Sequence, residues 1–524
     1  MENNIPVSQY GVTPPPIYIK PKREYTGYES VFAWLCLLAG YIFCKSFPVR
    51  NNPLGGFIFI LFLFIASTVI LKIKGAKFKA LPVVFALSAI IVSSALIISA
   101  NRMICFFSYV YAIVIYCYYL YAVTGNSIKK GFTDFIAIDF IKALIIMPFD
   151  SLGSLFAALF SGKAKKSGKF VLKIIIGIAV AVIPTVLVLA LLSYDANFWK
   201  LFLKIVDFDG FDIFSHIASI IFGIPVGMYL FGAFVSASDN KCSNHMTEES
   251  CTNASQKMKI APAATVIAAV LPILFIYVVF FISQWTYYVS GFTGVLPESF
   301  SYAEYAREGF FQLCIVSVIN LLIISAILAF MRRNTKGSSA ILKIITLIFS
   351  LFTLVLIATA ISKLVMYIDF YGLTPKRVHA AWFMAVLAII FILVGIKQFA
   401  KKLNIVAVSI VVLVIMFAVI AIPNTDGYIA KYNIDRYLSG SLDVVDIEAM
   451  EDLGLSAVPQ MVRLAEVLEE NKEDPVLYVD IMDFLRQMEV DYFVEDPRLF
   501  SYTVPYVRAR EALKSIGIIK EPVN

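Results

Sequence analysis

Apolar runs long enough to cross a bilayer recur along this chain until Ile422 and then stop. Leu54 to Ile73 and Ile405 to Ile422 are typical examples. A helix needs about 20 apolar residues to cross the hydrocarbon core, and in lipid it must satisfy every backbone N–H and C=O internally. The pattern therefore predicts eleven membrane spans, at residues 28–47, 54–73, 80–100, 103–123, 170–194, 212–236, 260–285, 308–330, 340–367, 379–398 and 403–422.

Beyond Ile422 the pattern changes from continuous apolar runs to helical stripes. One stripe repeats at i, i+4, i+7, i+8 and i+11, the spacing of a single helix face; its members are Leu477, Ile481, Phe484, Leu485 and Met488. A second stripe consists of Val458, Met461, Leu464, Ala465 and Leu468. We interpret both stripes as the core of a small bundle rather than as a groove for a partner. The predicted fold class is all-α, a polytopic transmembrane bundle of about 11 spans with a small C-terminal helical soluble domain.

Composition supports the same division of the chain. Only 15% of the residues are charged, against about a quarter in a soluble domain. Residues 1–422 carry 34 Lys+Arg and 17 Asp+Glu, whereas residues 423–524 carry 10 and 20. We predict a disordered lead-in at 1–27, a transmembrane domain at 28–422 and an acidic helical tail at 423–524. The basic excess calls for no nucleic-acid partner, because cytoplasmic membrane loops collect Lys and Arg.

The distribution of Lys and Arg among the loops predicts the orientation in the membrane. With the N-terminus in the cytoplasm, the inside segments carry 24 basic residues and the outside segments nine. The expected localisation is therefore the cell membrane, with a cytoplasmic N-terminus and an extracytoplasmic C-terminal tail. One missed or additional span would reverse the assignment of everything that follows it.

Residues 131–162 are apolar but interrupted by Asp134, Asp139, Lys142 and Pro148. We predict an amphipathic helix pair that lies in the cytoplasmic interface. A re-entrant loop is the alternative, and a full span would break the predicted topology.

Two glycines, Gly223 and Gly227, lie four residues apart in the sixth span. Small residues at this spacing let two membrane helices approach closely. The pair predicts a close helix crossing and leaves the partner helix open.

Polar residues near lipid are costly, so they are the default functional candidates. Three groups form one candidate polar cluster on the predicted outer side: Glu304, Arg307 and Glu308; Lys363, Asp369 and Arg377; Asn433 and Arg436. Arg377 is suited to hold a carboxylate such as Glu304 or Asp369, or a phosphate, through two hydrogen bonds. The alternative is structural, with ion pairs and interfacial anchors that position helices. A juxtamembrane helix that packs on the outer loops is favoured for the third group.

No P-loop, HExxH or GxSxG motif occurs in the chain. There are three histidines, and Cys242, His245 and Cys251 fit no common zinc spacing. We therefore predict no cofactor and no metal, and catalytic residues stay unknown. Whether the protein is an enzyme is left open, and an enzyme is the less favoured interpretation.

Three strings carry a resemblance to a known family: SYAEYAREGFFQL from Ser301, YGLTPKR from Tyr371 and GYIAKYNIDR from Gly427. In this order they resemble a bacterial polytopic membrane family, the domain of unknown function numbered 4173, which is related to the one numbered 4153. The similarity covers about residues 80 to 470. The resemblance implies a bacterial integral membrane protein without an assigned activity. Where that family has an arginine in the ninth span, this chain has Lys363.

Three functions remain in competition. The favoured one is an envelope scaffold, or partner-binding membrane protein, whose tail meets an envelope protein while the bundle lies in the lipid bilayer. The second is a transporter or binder of a small or lipidic solute, with Glu304, Arg307, Lys363 and Arg377 lining an outward-facing pocket. The third is a membrane-embedded enzyme on lipid-linked substrates, with Glu304 or Asp369 as the base and Arg377 as the phosphate holder.

Overall fold

The structure is a computed structural model, and it describes most of the chain. The described residues are 23–46, 53–129, 131–160, 207–208, 211–239, 246–283, 310–332, 336–400, 402–471, 474–493 and 502–519, with isolated positions between 184 and 198. They are helical apart from turns and a two-residue antiparallel ribbon, β1 (Asp207–Phe208) with β2 (Phe211–Asp212).

A first group of membrane helices is built from the N-terminal part of the chain. Its helices are α1 (Gly27–Ser46), α2 (Pro53–Ile73), α3 (Ala80–Ser93), α4 (Ala95–Ile98), α5 (Arg102–Val123), α6 (Ile136–Ile141), α7 (Met147–Asp150), α8 (Ser154–Leu159) and α9 (Ile213–Ser238). They share one hydrophobic core, in which α1 packs along α9 and α3 packs along α5. A surface helix, α10 (Glu248–Met258), follows; none of its residues is buried.

Among the described residues, a second group of four long helices has its own core. They are α11 (Ala263–Ser283), α12 (Phe310–Phe330), α13 (Lys336–Tyr371) and α14 (Pro375–Lys397). The next helix, α15 (Ile405–Ala421), contacts α14 on one side and α3 and α5 on the other. It therefore connects the two groups.

The C-terminal part forms a third core of amphipathic helices. They are α16 (Thr425–Leu438), α17 (Ile447–Glu451), α18 (Val458–Asn471), α19 (Pro475–Phe493) and α20 (Val504–Ser515), with a 3-10 turn at Gly454–Ser456. Every residue of the two predicted stripes belongs to this core or packs against it. The chain bends by 57° between α15 and α16, and the Asn424 side chain accepts from the N–H of Gly427 to cap the new helix.

The predicted membrane spans agree with the structure wherever it describes them. Among the described residues, nine helices are long and apolar enough to cross a membrane, or up to ten if α15 and α16 count as one bent span. Nine of the eleven predicted spans coincide with one helix to within four residues at each end, and a tenth, at 80–100, coincides with α3 and α4 taken together. The remaining one, at 170–194, lies almost wholly outside the described residues. The predicted all-α polytopic bundle is confirmed.

The close crossing predicted from the glycine pair is present, and its partner is α1. A Cβ atom added to Gly40 of α1 would lie 2.0 Å from the carbonyl oxygen of Gly223. One added to Gly227 would lie 2.8 Å from the carbonyl oxygen of Cys36. The two backbones touch directly, which only glycine permits.

Residues 131–160 fold into short helices rather than one long one. α6, a π-helical turn (Lys142–Ile146), α7 and α8 pack against α1, α5 and α9, and both Asp139 and Lys142 are buried. The Asp139 carboxylate accepts from the Tyr121 hydroxyl and the Ile128 N–H. Burial raises the pKa of Asp139, and these two donors and Lys142 oppose the rise. The interfacial placement of 131–162 and the re-entrant alternative stay predictions.

The bundle has two distinct ends. At the end we call the tail end, the Asn101 amide before α5 donates to Asp426 of α16, and α20 contacts α4. At the opposite end, the Ser30 hydroxyl of α1 donates to the Ala158 carbonyl oxygen of α8. The side-chain amide of Asn404, before α15, donates to the Phe132 carbonyl oxygen. The C-terminal helices therefore lie at the end where α1 finishes and α5 begins.

Candidate functional site

The predicted polar cluster centres on the turn between α13 and α14. α13 ends at Tyr371, and Gly372 adopts φ +76°, a conformation that glycine takes without strain. Thr374 then caps α14 by accepting from the Arg377 N–H, and Pro375 occupies the first helical position. The string YGLTPKR is thus a helix stop followed by a helix start.

Arg377 returns its side chain to the end of α13. Its guanidinium donates to the carbonyl oxygens of Tyr371 at 3.0 Å and Gly372 at 2.5 Å, and it lies 4.2 Å from the centre of the Tyr367 ring. The last carbonyls of a helix lack partners within the helix, and a cation at this end also interacts favourably with the helix dipole. The predicted pairing of Arg377 with Asp369 does not occur, because Arg377 caps the helix instead.

Asn433 of α16 binds the same turn from the C-terminal domain. Its side-chain oxygen accepts from the Leu373 N–H at 2.7 Å, and its amide donates to the Leu373 carbonyl at 2.8 Å. Both backbone groups of one turn residue are satisfied by one side chain, across 60 positions of sequence. A Cβ on Gly372 would approach the Asn433 oxygen to 2.6 Å, so the fit leaves no space for a larger residue.

Arg436, one turn later on α16, completes the arrangement. It donates to the carbonyls of Ile368 at 3.2 Å and Asp369 at 2.9 Å. It also donates to the Ser441 carbonyl at 2.8 Å, and its nearest approach to the Asp369 carboxylate is 3.8 Å. That carboxylate is largely exposed, so the backbone contacts hold Arg436 more than the ion pair does.

Together Asp369, Leu373, Arg377, Asn433 and Arg436 form what we call the tail joint. Two guanidinium groups and one amide donate hydrogen bonds to backbone carbonyls at the end of the 36-residue helix α13 and just after it. The joint fixes the first helix of the C-terminal core to the membrane bundle. Leu373 and Val378 also pack against that core, which gives the joint an apolar side.

The rest of the candidate cluster is not gathered there. Lys363 lies two turns before the end of α13 and is 1% exposed, inside the second membrane group. Glu304, Arg307 and Glu308 lie outside the described residues. The proposed pairing of Glu304 with Arg377 stays a prediction.

A second contact links the C-terminal domain to the first membrane group. Asp426, in the first turn of α16, is buried and accepts from the Asn101 amide at 3.1 Å. Burial raises the pKa of Asp426 to about 6, and the hydrogen bond from Asn101 opposes the rise. The charged carboxylate therefore costs folding free energy at neutral pH.

We expect Asp426→Asn to stabilise the protein at pH 7.5. A raised pKa favours the folded state only while the group is protonated, so this contribution is present below about pH 4 and is lost as the pH rises through 6. At about 1.4 kcal/mol per pKa unit, the charge costs about 3 kcal/mol at neutral pH. The asparagine keeps an acceptor for Asn101, so thermal unfolding in detergent is expected to show a gain of about 1–3 kcal/mol.

The same measurement between pH 4 and 7.5 supplies the control. In wild type, stability falls as the pH rises through 6, and in Asp426→Asn this component is absent. Asp443→Asn, which removes an exposed carboxylate of the same domain, is expected to change stability by less than about 0.5 kcal/mol. A loss of stability in Asp426→Asn at pH 7.5 would contradict the assignment.

A charged network at the opposite end was not predicted. Glu29 is 2% exposed and pairs with Arg23 at 2.7 Å and Lys74 at 2.5 Å, while Arg23 also reaches Asp239 at 2.8 Å. The network ties the start of α1 to the ends of α2 and α9. The sequence signal of this network is a carboxylate in the first turn of an otherwise apolar span, which apolar length alone does not interpret.

Within the part of the chain that the structure describes, no three His, Cys, Asp or Glu side chains form a group that could hold a metal ion. The polar groups that converge at the tail joint are an amide, two guanidinium groups and backbone carbonyls. This set is suited to fixing the position of a helix.

The fold and the joint define an integral membrane protein with many helical spans and a helical C-terminal domain mounted at one end. The model of the family described as a domain of unknown function, DUF4153, matches residues 83–464, and the chain belongs to that family. The predicted relation to family 4153 fits this match, whereas the number 4173 is not confirmed. No curated protein and no solved structure matches the chain.

Proposed function

We propose that this protein is a membrane-anchored scaffold that presents its acidic C-terminal domain to a protein partner. The tail joint is the observation that carries the proposal. Asn433 and Arg436, which the sequence offers as functional candidates, are engaged in holding that domain on the bundle. A domain held in one orientation at the membrane surface is suited to act through its outer face.

The exposed face of α19 supports a docking role. It carries apolar Val476, Val479 and Val490, which are 72%, 55% and 60% exposed. Exposed carboxylates lie among them: Asp480, Asp483 and Asp491. A mixed apolar and acidic face suits a partner with a basic, partly apolar surface, because complementary charge steers encounter and fixes orientation.

The ends of the bundle support an extracytoplasmic location for this domain. Arg23, Lys74 and Lys129 lie at the opposite end, where the Lys and Arg count places the cytoplasm. The tail would then face the envelope. Cleavage of a C-terminal tag by protease added to intact cells supports this orientation, and cleavage only after lysis contradicts it.

The transporter alternative uses Glu304 and Arg307, and the enzyme alternative uses Glu304 or Asp369 as its base; Glu304 and Arg307 lie outside the described residues. Asn320, a buried amide of α12 within the membrane bundle, accepts from Tyr277 at 2.6 Å and donates to Thr353 at 2.8 Å. These bonds join α11, α12 and α13. Such a chain is suited to holding membrane helices together.

We expect a photo-cross-linking residue in place of Val479 to capture the partner in intact cells. Neutralising the face with Asp480→Asn, Asp483→Asn and Asp491→Asn is expected to lower the yield about tenfold, at about 0.5 kcal/mol for each charge. A matched triple, Glu448→Gln, Glu451→Gln and Asp452→Asn, changes the charge of the domain equally at exposed positions in and just after α17. Equal yields in the two triples, or no captured protein, would refute the docking face.

A further inference from the structure

A cavity opens in the C-terminal domain where three of its helices meet. Its volume is about 250 Å³, below the roughly 300 Å³ at which pockets for drug-sized ligands begin. It therefore suits a small group rather than a whole cofactor. The cavity is lined by α16, the 3-10 turn, α18 and α20, and its lining includes Asn424, Tyr428, Lys431, Pro459, Pro505 and Arg508.

The two charged residues that line the cavity, Lys431 and Arg508, are both cations. Lys431 and Arg508 are both exposed, and neither forms an ion pair with any residue in the described part of the chain. No Asp or Glu is among the described residues that line the cavity. Residues 423–524 carry a net charge of −10. A cavity lined by two cations and no anion therefore differs in sign from the domain as a whole.

The cavity lies beside the membrane end of the domain. Asn424 comes three residues after the last residue of α15, and the neighbouring Asp426 is bonded to Asn101, which caps α5. α20, which contributes Pro505 and Arg508, contacts α4. The ends of three membrane helices thus border the domain on this side.

The rim combines apolar and aromatic groups with the two cations. Tyr428 is 63% exposed, and Pro459 and the buried Pro505 also line the cavity. Tyrosine is enriched where membrane meets water, because its ring is apolar and its hydroxyl is polar. An amphiphile with an anionic headgroup matches this combination better than a fully hydrated ion does.

We propose that this cavity binds a phosphate-type anion at the membrane surface, with Lys431 and Arg508 as its ligands. Arg508 offers a planar pair of donors and Lys431 a compact charge, both of which suit phosphate oxygens. The chemistry is shared by the headgroup of an anionic phospholipid and by soluble phosphate. The apolar rim and the neighbouring helix ends favour the lipid headgroup.

The test uses the purified full-length protein and two probes. Native mass spectrometry follows binding of phosphatidylglycerol to the detergent-solubilised protein, and calorimetry follows inorganic phosphate with the protein in phosphatidylcholine nanodiscs. The variant is Lys431→Gln with Arg508→Gln. The matched control is Arg486→Gln with Arg510→Gln, which removes the same charge from α19 and α20 away from the cavity lining.

The proposal predicts that the cavity variant binds phosphatidylglycerol about thirtyfold more weakly than wild type, at about fivefold for each cation. The control pair keeps wild-type binding. The same dependence seen with inorganic phosphate alone would support the site and identify a soluble ligand. Equal losses in the two pairs, or binding by wild type no tighter than by the cavity variant, would overturn the proposal. Neither result depends on the docking face of α19.

Discussion

Replacing Gly40 by alanine is expected to prevent the first membrane group from folding, although alanine is the better helix former. The added Cβ would lie 2.0 Å from the Gly223 carbonyl oxygen and 2.9 Å from the Gly223 carbonyl carbon. Both are backbone atoms, so no side chain can rotate away, and α1 must separate from α9. Overpacking of this kind costs about 3 kcal/mol or more. We expect a loss of monodisperse protein after extraction, measured by fluorescence-detected size exclusion.

A matched glycine in another membrane helix separates packing from propensity. A Cβ on Gly395 of α14 meets no atom within 4 Å, so Gly395→Ala is expected to gain up to about 1 kcal/mol. The two substitutions are therefore expected to change the stability of the protein in opposite directions. Gly40→Ala protein that is as abundant and as heat-stable as Gly395→Ala protein would show that α1 and α9 do not cross as described.

Breaking the tail joint is expected to release the C-terminal domain while the membrane bundle stays folded. Asn433→Ala leaves the Leu373 N–H and C=O without their partners, and Arg436→Ala removes three bonds to backbone carbonyls. Each change is expected to cost about 2 kcal/mol. The double variant is therefore expected to lose about 4 kcal/mol, with some departure from additivity because the sites are neighbours. Limited proteolysis measures the release as faster cleavage between Ala421 and Thr425.

The control for this prediction is an ion pair that α16 forms within the C-terminal domain. Arg463 of α18 pairs with Asp435 of α16 at 2.6 Å, but both side chains are more than 40% exposed. An exposed pair contributes about 0–1 kcal/mol, so Arg463→Ala is expected to be cleaved at the wild-type rate. Accelerated cleavage in Arg463→Ala to the level of the double variant would mean that the joint is not the dominant attachment.

The membrane helices were predictable because lipid leaves so few solutions. A backbone without water must bond to itself, so apolar length alone located spans such as α2 and α15 to within a few residues. The C-terminal core followed from helical periodicity, and Met461 and Phe484 lie in it as predicted. The Gly223 and Gly227 pair predicted a close crossing, yet only the structure shows that α1 is the partner.

The chemistry of the polar residues was harder to predict, since their partners are backbone groups of distant segments. Arg377 was expected to hold a carboxylate, and it binds the carbonyls of Tyr371 and Gly372. No sequence pattern shows which helix end will bind hydrogen-bond donors from a distant segment. Asn433 meets Leu373 across 60 residues, and Arg23 meets Asp239 across more than 200. Such pairs depend on how the helix groups are arranged, which apolar length does not encode.

Hydrogen exchange at the amide of Leu373 reports directly on whether Asn433 fixes the C-terminal domain to the α13–α14 turn. We expect slow exchange at Leu373 in wild type and exchange about tenfold or more faster in Asn433→Ala, at about 1.4 kcal/mol for each factor of ten. Amides in the middle of α13 should be unchanged. Exchange at Leu373 that is fast in wild type, or equally slow in Asn433→Ala, would contradict the joint.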